Sequence, residues 1–380
     1  MAGIYIHIPF CNQACHYCDF HFSTSQKYTD EMCSAMQSEI EVRTADWGHE
    51  TFNTIYFGGG TPSLLPTPQL GSLMDVLHQK LHTSAVDEVT LEANPEYLSP
   101  QKISELLGLG INRLSIGIQS FHDTHLAWMN RSHSSSDAER AVKTAQDKGI
   151  TNITIDLIYS IPGMTRDQWL ANLHHAIQLQ VPHISAYSLT IESKTVFGNM
   201  QSKGLLNAAP DAESEWQYLT MVDILHQHHI DAYEVSNFAK RGMESKHNSA
   251  YWKGDHYIGI GPSAHSYSNG VRSWNVANNA KYMQALGEKK RPFEQEVLTT
   301  ADAFNEMMMT RLRTTRGLNH AEVEASFGIH ILEKFQTEFA RWSENQWAQR
   351  DENGIRLTPK GMLFADRCAA ELFLQQDDFT

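Results

Sequence analysis

The sequence is poor in cysteine, in positive charge and in long apolar runs, and each shortage argues against a class of protein. Five cysteines occur in 380 residues, at positions 11, 15, 18, 33 and 368. The count is odd and the chain is long enough to bury a sizeable core, so disulfides are not expected to organise it. Lys and Arg number 30 against 44 Asp and Glu, for a formal net charge of -14. Such a surface repels a duplex or an anionic membrane, which argues against a nucleic-acid partner. The longest apolar stretches are strand-length, short of the roughly 20 residues that span a bilayer. The segment from Met1 to Cys11 has no basic region and no cleavage-like site, so a cytoplasmic protein without a signal peptide is expected.

What remains is ordinary in bulk: 41% hydrophobic and 19% charged residues, enough for one large domain and a smaller one. The first half alternates two periodicities. Ile4, Ile6 and Ile8 alternate as in a strand, and residues 54–57, 88–92, 113–118, 152–158 and 183–189 read the same way. Helical spacing intervenes, as in Leu70, Leu73, Met74, Leu77 and Leu81. A weak repeat, Gly110-Ile111-Asn112-Arg113 against Gly149-Ile150-Thr151-Asn152, marks helix ends that run into strands. Six strand–helix units predict an α/β fold with a parallel sheet, too few for a closed eight-stranded barrel and hence a partial (β/α)6 barrel. Residues 236–290 are rich in Asn, His, Tyr, Gly and Ser and read as an irregular connection. From 291 to 380, helices and a hairpin at Asp351–Gly354 predict a small, mostly helical, winged-helix-like domain.

Ligands of a parallel barrel gather where strands end, and the six predicted strand ends all carry polar groups. Cys11, Cys15 and Cys18 follow the first strand in a C-x3-C-x2-C pattern. Three thiolates on one loop can surround one cubane iron–sulfur cluster and leave one iron open. A zinc site, with His7, His16 or His21 as fourth ligand, is the alternative. Gly58-Gly59-Gly60 after the second strand allows close backbone approach. Glu92, Gln119, Arg131 and Asp156 could bind amino, carboxylate and ribose hydroxyl groups, Arg131 through paired hydrogen bonds.

These residues resemble the radical S-adenosylmethionine (SAM) superfamily over positions 1 to about 235. Within it the chain looks like the coproporphyrinogen-dehydrogenase branch, through Tyr5 to Cys11, Phe57 to Ser63, Gly117 to Phe121, Asn130-Arg131 and Asp156 to Pro162, and its C-terminal part resembles that branch too. The resemblance implies a [4Fe-4S] cluster on the three cysteines and a SAM pocket lined by Tyr5, Tyr17, Gly59, Gly60, Thr61, Glu92, Gln119, Arg131 and Asp156. Ser160 and Ser263 stand where the branch commonly has glycine. The dehydrogenase pattern has Gly-Cys after the third cluster cysteine, whereas Asp19-Phe20 occurs here, and only ten residues precede Cys11.

The Cys15-His16-Tyr17-Cys18-Asp19-Phe20 run and His247-Asn248-Ser249-Ala250-Tyr251-Trp252 are instead similar to haem chaperones of the HemW type. That likeness implies haem as ligand, with His247 as axial ligand, Tyr251 and Trp252 flanking the macrocycle, and His265 and His256 as lesser ligand candidates. It is compatible with a homodimer and with a haem acceptor such as a respiratory enzyme. The other reading is a radical enzyme acting on coproporphyrinogen III or a related tetrapyrrole.

Overall fold

The computed structural model describes residues 2–379. Six parallel strands lie side by side in chain order: β1 (Ala2–Ile8), β2 (Phe52–Gly59), β3 (Glu88–Ala93), β4 (Arg113–Gln119), β5 (Asn152–Tyr159) and β6 (His183–Ser188). Their registers bring one apolar set into line, Ile4 beside Ile55, Ile55 beside Val89, Leu91 beside Leu114, and Leu114 beside Ile153. These side chains are buried beneath the crossover helices. Because side chains alternate along a strand, the opposite set faces the lumen, and it is polar: Thr54, Glu88, Arg113, Ser115, Thr154, Asp156, His183 and Ser185. The lumen is therefore a lined chamber, while the hydrophobic core lies between sheet and helices.

The barrel does not close, since β1 and β6 do not pair. Beyond β6 the sheet continues through two short antiparallel strands, β7 (Asp231–Ala232) and β8 (Asn237–Ala239). Beyond β1 it continues through β9 (His256–Ile260), parallel to β1, and then β10 (His265–Ser268), β11 (Val271–Asn275) and β12 (Phe293–Val297), all antiparallel. This corrects the expectation of an irregular connection over 236–290. Those residues form two helices, β8, and three of the four strands of one wing of a twelve-stranded sheet. Buried Glu39 ties that wing to the first crossover helix, accepting hydrogen bonds from Gly261 N, Asn275 Nδ2 and the Tyr282 hydroxyl.

The C-terminal part packs helices around a three-stranded sheet of β13 (Leu318–Asn319), β14 (Ala348–Arg350) and β15 (Gly354–Leu357). The β14–β15 hairpin falls where Asp351–Gly354 predicted a turn. After the hairpin the chain forms two short helices, Pro359–Met362 and Ala365–Glu371.

Candidate cofactor and ligand site

The cysteine loop leaves β1 at the C-terminal end of the sheet and is held on three sides. Cys11 N donates to Ser23 O at 3.1 Å, and His16 N to Met129 O at 3.1 Å. Gln13 Nε2 donates to both the carbonyl and side-chain oxygen of Asn130, and Asn130 Nδ2 returns a bond to Ala14 O at 2.8 Å. Asn130 takes a left-handed backbone, φ 59°, which Asn tolerates better than most residues. The glycine run does a specific task here. Gly60 N donates to Ile8 O and Thr61 N to Phe10 O, at 2.8 and 2.7 Å. A Cβ on Gly60 would meet Phe10 O at 2.5 Å, so this glycine lets the second strand end press against the root of the cysteine loop.

Cys11, Cys15 and Cys18 are free and half-buried, whereas Cys33 and Cys368 are buried in the core. Thr61 Oγ1 donates to Cys11 Sγ at 3.6 Å, and Arg131 Nη1 to Cys15 Sγ at 3.5 Å. Burial pushes the Cys18 thiol up to about 11, so a metal must displace its proton to bind. Among the described residues no three His, Cys, Asp or Glu side chains are grouped to share a single metal ion. The histidines considered for a zinc shell are engaged elsewhere: His7 Nε2 with His21 O, His16 Nδ1 with Trp128 O, and His21 Nε2 with Asn279 Oδ1. The donor set suits a polynuclear cluster, in which each thiolate binds a different iron.

Beside the thiols stand the other mouth residues. Glu92 accepts from the Tyr56 hydroxyl at 2.8 Å and from Gly59 N at 3.1 Å. Ser115 donates to Asp156 at 3.3 Å. Burial pushes Glu92 up to about 7 and Asp156 up to about 6, against hydrogen bonds that favour the charged forms. Arg131 spends Nη2 on Asn94 Oδ1 and Gly117 O, while its Nε is buried without a partner. A buried, unsatisfied guanidinium donor at the barrel mouth is a site that a ligand oxygen would complete. Gln119 sits at a register shift between β4 and β5 with φ 69°, a strained backbone of the kind that gathers at binding sites. Tyr17 packs against the edge of the core with its phenol beside Cys15 and Arg131. Tyr5 stacks on Tyr56 with ring centroids 6.1 Å apart. Asn94, Asn130 and Gln13, which hold Arg131 and the loop, were not singled out as site residues from sequence; the Asn130-Arg131 pair was the available signal.

The elevated carboxyls make a prediction. A group whose folded pKa lies above its ordinary value contributes stability that is complete below the ordinary value and lost as pH rises through the folded one. For Glu92 that window runs from 4.5 to about 7. Glu92→Gln is therefore expected to flatten the fall in melting temperature across this window in ligand-free protein and to stabilise it on the alkaline side. Thermal denaturation at a series of pH values checks this; an unchanged slope contradicts it.

The segment read as the haem ligand is placed differently from expectation. Lys246–Lys253 is a helix, capped by the Ser245 hydroxyl and ended at Gly254 with φ 70°. Its first turn enters the barrel floor, where Glu88 accepts from Lys246 N and His247 N, both at 3.0 Å. Arg311 of the C-terminal part donates to the Trp252 and Lys253 carbonyls at the other end and pairs with Glu322. His247 is 2% exposed. Its Nδ1 shares a hydrogen bond with Thr54 Oγ1 at 2.8 Å and its Nε2 one with the Tyr251 hydroxyl at 2.9 Å. Both ring nitrogens are thus occupied, and burial lowers its pKa to about 3. His247, the expected axial ligand, is a buried lumen residue stacked on Tyr56, 5.0 Å between centroids. Trp252 and Tyr251 do face open volume. A cavity of about 780 Å³ is bounded by Asn248, Tyr251, Trp252, Tyr187 and Met362, and a second of about 650 Å³ lies on the other flank of the helix. His265 is exposed, stacked on Trp274, and near His7; His256 pairs with Glu50. Neither lines these cavities.

Residues 5–176 match the radical SAM superfamily and residues 298–364 the HemN C-terminal domain. The heme chaperone HemW of Bacillus subtilis is 36% identical over 96% of this chain and 97% of its own length. That of Escherichia coli is 33% identical over 86% of each chain. The chain belongs to the HemW family. Among solved structures, coproporphyrinogen III oxidase (HemN) from Escherichia coli superposes with a TM-score of 0.84 over 97% of this chain and 89% of its own, at 21% identity. At that identity the likeness shows the fold alone: a radical SAM barrel with a helical C-terminal region. No helix among the described residues is long and apolar enough to cross a membrane.

Proposed function

We propose that this HemW-family protein binds haem and passes it to an acceptor protein, carrying a [4Fe-4S] cluster on Cys11, Cys15 and Cys18 and an exchangeable SAM beside it. The observation that carries the reading is the likeness, across 96% of this chain, to a protein named a heme chaperone. The barrel mouth supports the cofactors. Three free thiols on one loop lie beside Arg131, whose Nε is unsatisfied, and two carboxyls raised above their ordinary pKa by burial face the same chamber. Arg131 would take a carboxylate oxygen of SAM, Glu92 its amino group and Asp156 its ribose hydroxyls, while Tyr5 and Thr61 shape the pocket. A bound cluster with SAM supplies one-electron chemistry when reduced. The protein's part is to hold both in a chamber walled by Tyr5, Tyr56 and Gln119. The chaperone reading needs no chemical change in the haem.

The test is transfer. Reconstituted protein loaded with one haem is mixed anaerobically with an apo-haem protein, and the acceptor's spectrum is followed. Spectral conversion of the acceptor is expected, while a parallel incubation with coproporphyrinogen III, SAM and reductant gives no decarboxylated product. Product formation without haem transfer would move the assignment to a radical enzyme acting on a tetrapyrrole.

A further inference from the structure

One edge of the twelve-stranded sheet is β7, two residues long; the other is β12, five residues long and exposed at every position. The hydrogen bonds that flank β12 fix which way its backbone faces. Val276 N donates to Pro292 O at 2.9 Å, and Leu298 N to Gly270 O at 2.8 Å. Bonded and non-bonded pairs alternate along an antiparallel ladder. Glu294 and Glu296 therefore spend their backbone groups on β11, while Phe293, Gln295 and Val297 turn theirs outward. Natural edges of this length are usually bulged or guarded by lysine or proline. β12 contains neither residue, and its register with β11 is unbroken. It also leaves Phe293 45% and Val297 71% exposed.

The two faces of this edge differ. Residues directly opposite across a ladder share a face. Phe293, Gln295 and Val297 lie with Asn275, Ser273 and Val271, whereas Glu294 and Glu296 lie with Trp274 and Arg272. Arg272 pairs with Glu296 and with Glu306 of the helix Thr300–Leu312. Glu294 has no ion-pair partner among the described residues. Of the cations before the strand, Lys290 pairs with Glu288 and Arg291 with Glu39; Lys289 lies beyond them in the turn. The carboxylate face thus holds more negative charge than Arg272 neutralises, on an edge with open backbone groups. A second copy of the chain fits it poorly. Antiparallel pairing about Gln295 would set each Glu294 against a Glu296, and like charges directly opposite repel.

We propose that β12 is a docking edge for an extended basic segment of another protein, added as a further antiparallel strand. The fitting pattern is apolar-basic-any-basic-apolar. Its two cations, two positions apart, meet Glu294 and Glu296, and its apolar residues meet Phe293 and Val297 on the other face. The inference is independent of the haem reading, since it concerns a polypeptide partner on the wing of the sheet.

The experiment adds a fluorescein-labelled peptide, Gly-Ser-Val-Lys-Thr-Lys-Val-Ser-Gly, to the full chain and reads anisotropy. Hydrogen exchange over residues 291–299 is followed by mass spectrometry. The control peptide has glutamate in place of both lysines. Wild type is compared with Gln295→Pro, which removes an outward N–H and leaves the ladder with β11 its bonds, and with Glu294→Lys; melting curves confirm folding. Saturable binding of the basic peptide to wild type is expected, with slowed exchange over 291–299. Gln295→Pro and the acidic peptide should each weaken binding at least ~10-fold, and Glu294→Lys at least ~3-fold. Binding that survives Gln295→Pro, protection that falls elsewhere in the chain, or no saturable binding to wild type overturns the proposal. Self-association of peptide-free wild type that Gln295→Pro abolishes, read by sedimentation, overturns it in favour of a second copy. The exchange arm uses wild type alone, so it decides even if a variant fails to fold.

Discussion

Serine at Cys11, Cys15 or Cys18 is expected to abolish the visible absorbance and bound iron of reconstituted protein, while Cys33→Ala and Cys368→Ala leave both intact. The contrast follows from placement. Cys11, Cys15 and Cys18 are free on one loop at the barrel mouth, with Thr61 and Arg131 donating to two of the sulfurs. Serine keeps the size and removes the soft ligand that iron–sulfur clusters require. Cys33 and Cys368 are at most 5% exposed within the core, and alanine there costs packing only, about 1 kcal/mol for each lost sulfur-sized group. Loss of the cluster in any one of the three loop variants should be essentially complete. Wild-type iron content in a loop variant, or loss in a core variant, would reassign the ligands.

The second large effect is on the barrel floor. Glu88→Ala is expected to destabilise the protein by about 3–5 kcal/mol, the range for removing one partner of a buried charge pair. Glu88 is 2% exposed and Arg113 1%. The carboxylate caps the first turn of the helix that begins at Lys246 and lies 3.9 Å from Arg113 Nε. Alanine would leave two backbone N–H groups without their acceptor, and Arg113 holding Thr154 but without its ion-pair partner. Glu88→Gln keeps an acceptor and should cost less than half as much. Urea denaturation of the three proteins measures the series. A Glu88→Ala midpoint within error of wild type would show that the helix is held by its apolar contacts and Arg311 alone.

The six parallel strands were legible because their apolar residues alternate and their registers align that set against the helices. The same alternation concealed Glu88 and Arg113. A charged residue every second position reads as a solvated strand face, and only barrel curvature makes that face a lumen. The cysteine loop and the mouth carboxyls were legible because strand ends converge in any parallel barrel. The wing built from β9 to β12 was not, since β9 pairs with β1 across more than 250 residues, a contact no local pattern records. The lumen surroundings of His247 were hidden for the same reason: its partner Thr54 and its cap Glu88 lie far back in the chain. The two departures from the family glycines have a physical footprint. Ser160 and Ser263 adopt left-handed backbones, φ 59° and 65°, so the fold retains the turns and bears the strain that glycine would relieve.

The most direct test of the account is the haem stoichiometry of anaerobically reconstituted protein, measured by difference absorbance as haem is added. Saturation at one haem per chain is expected, with the cluster absorbance retained and haem released to an apo-acceptor. A titration with no saturation point, indistinguishable from free haem in buffer, would contradict it.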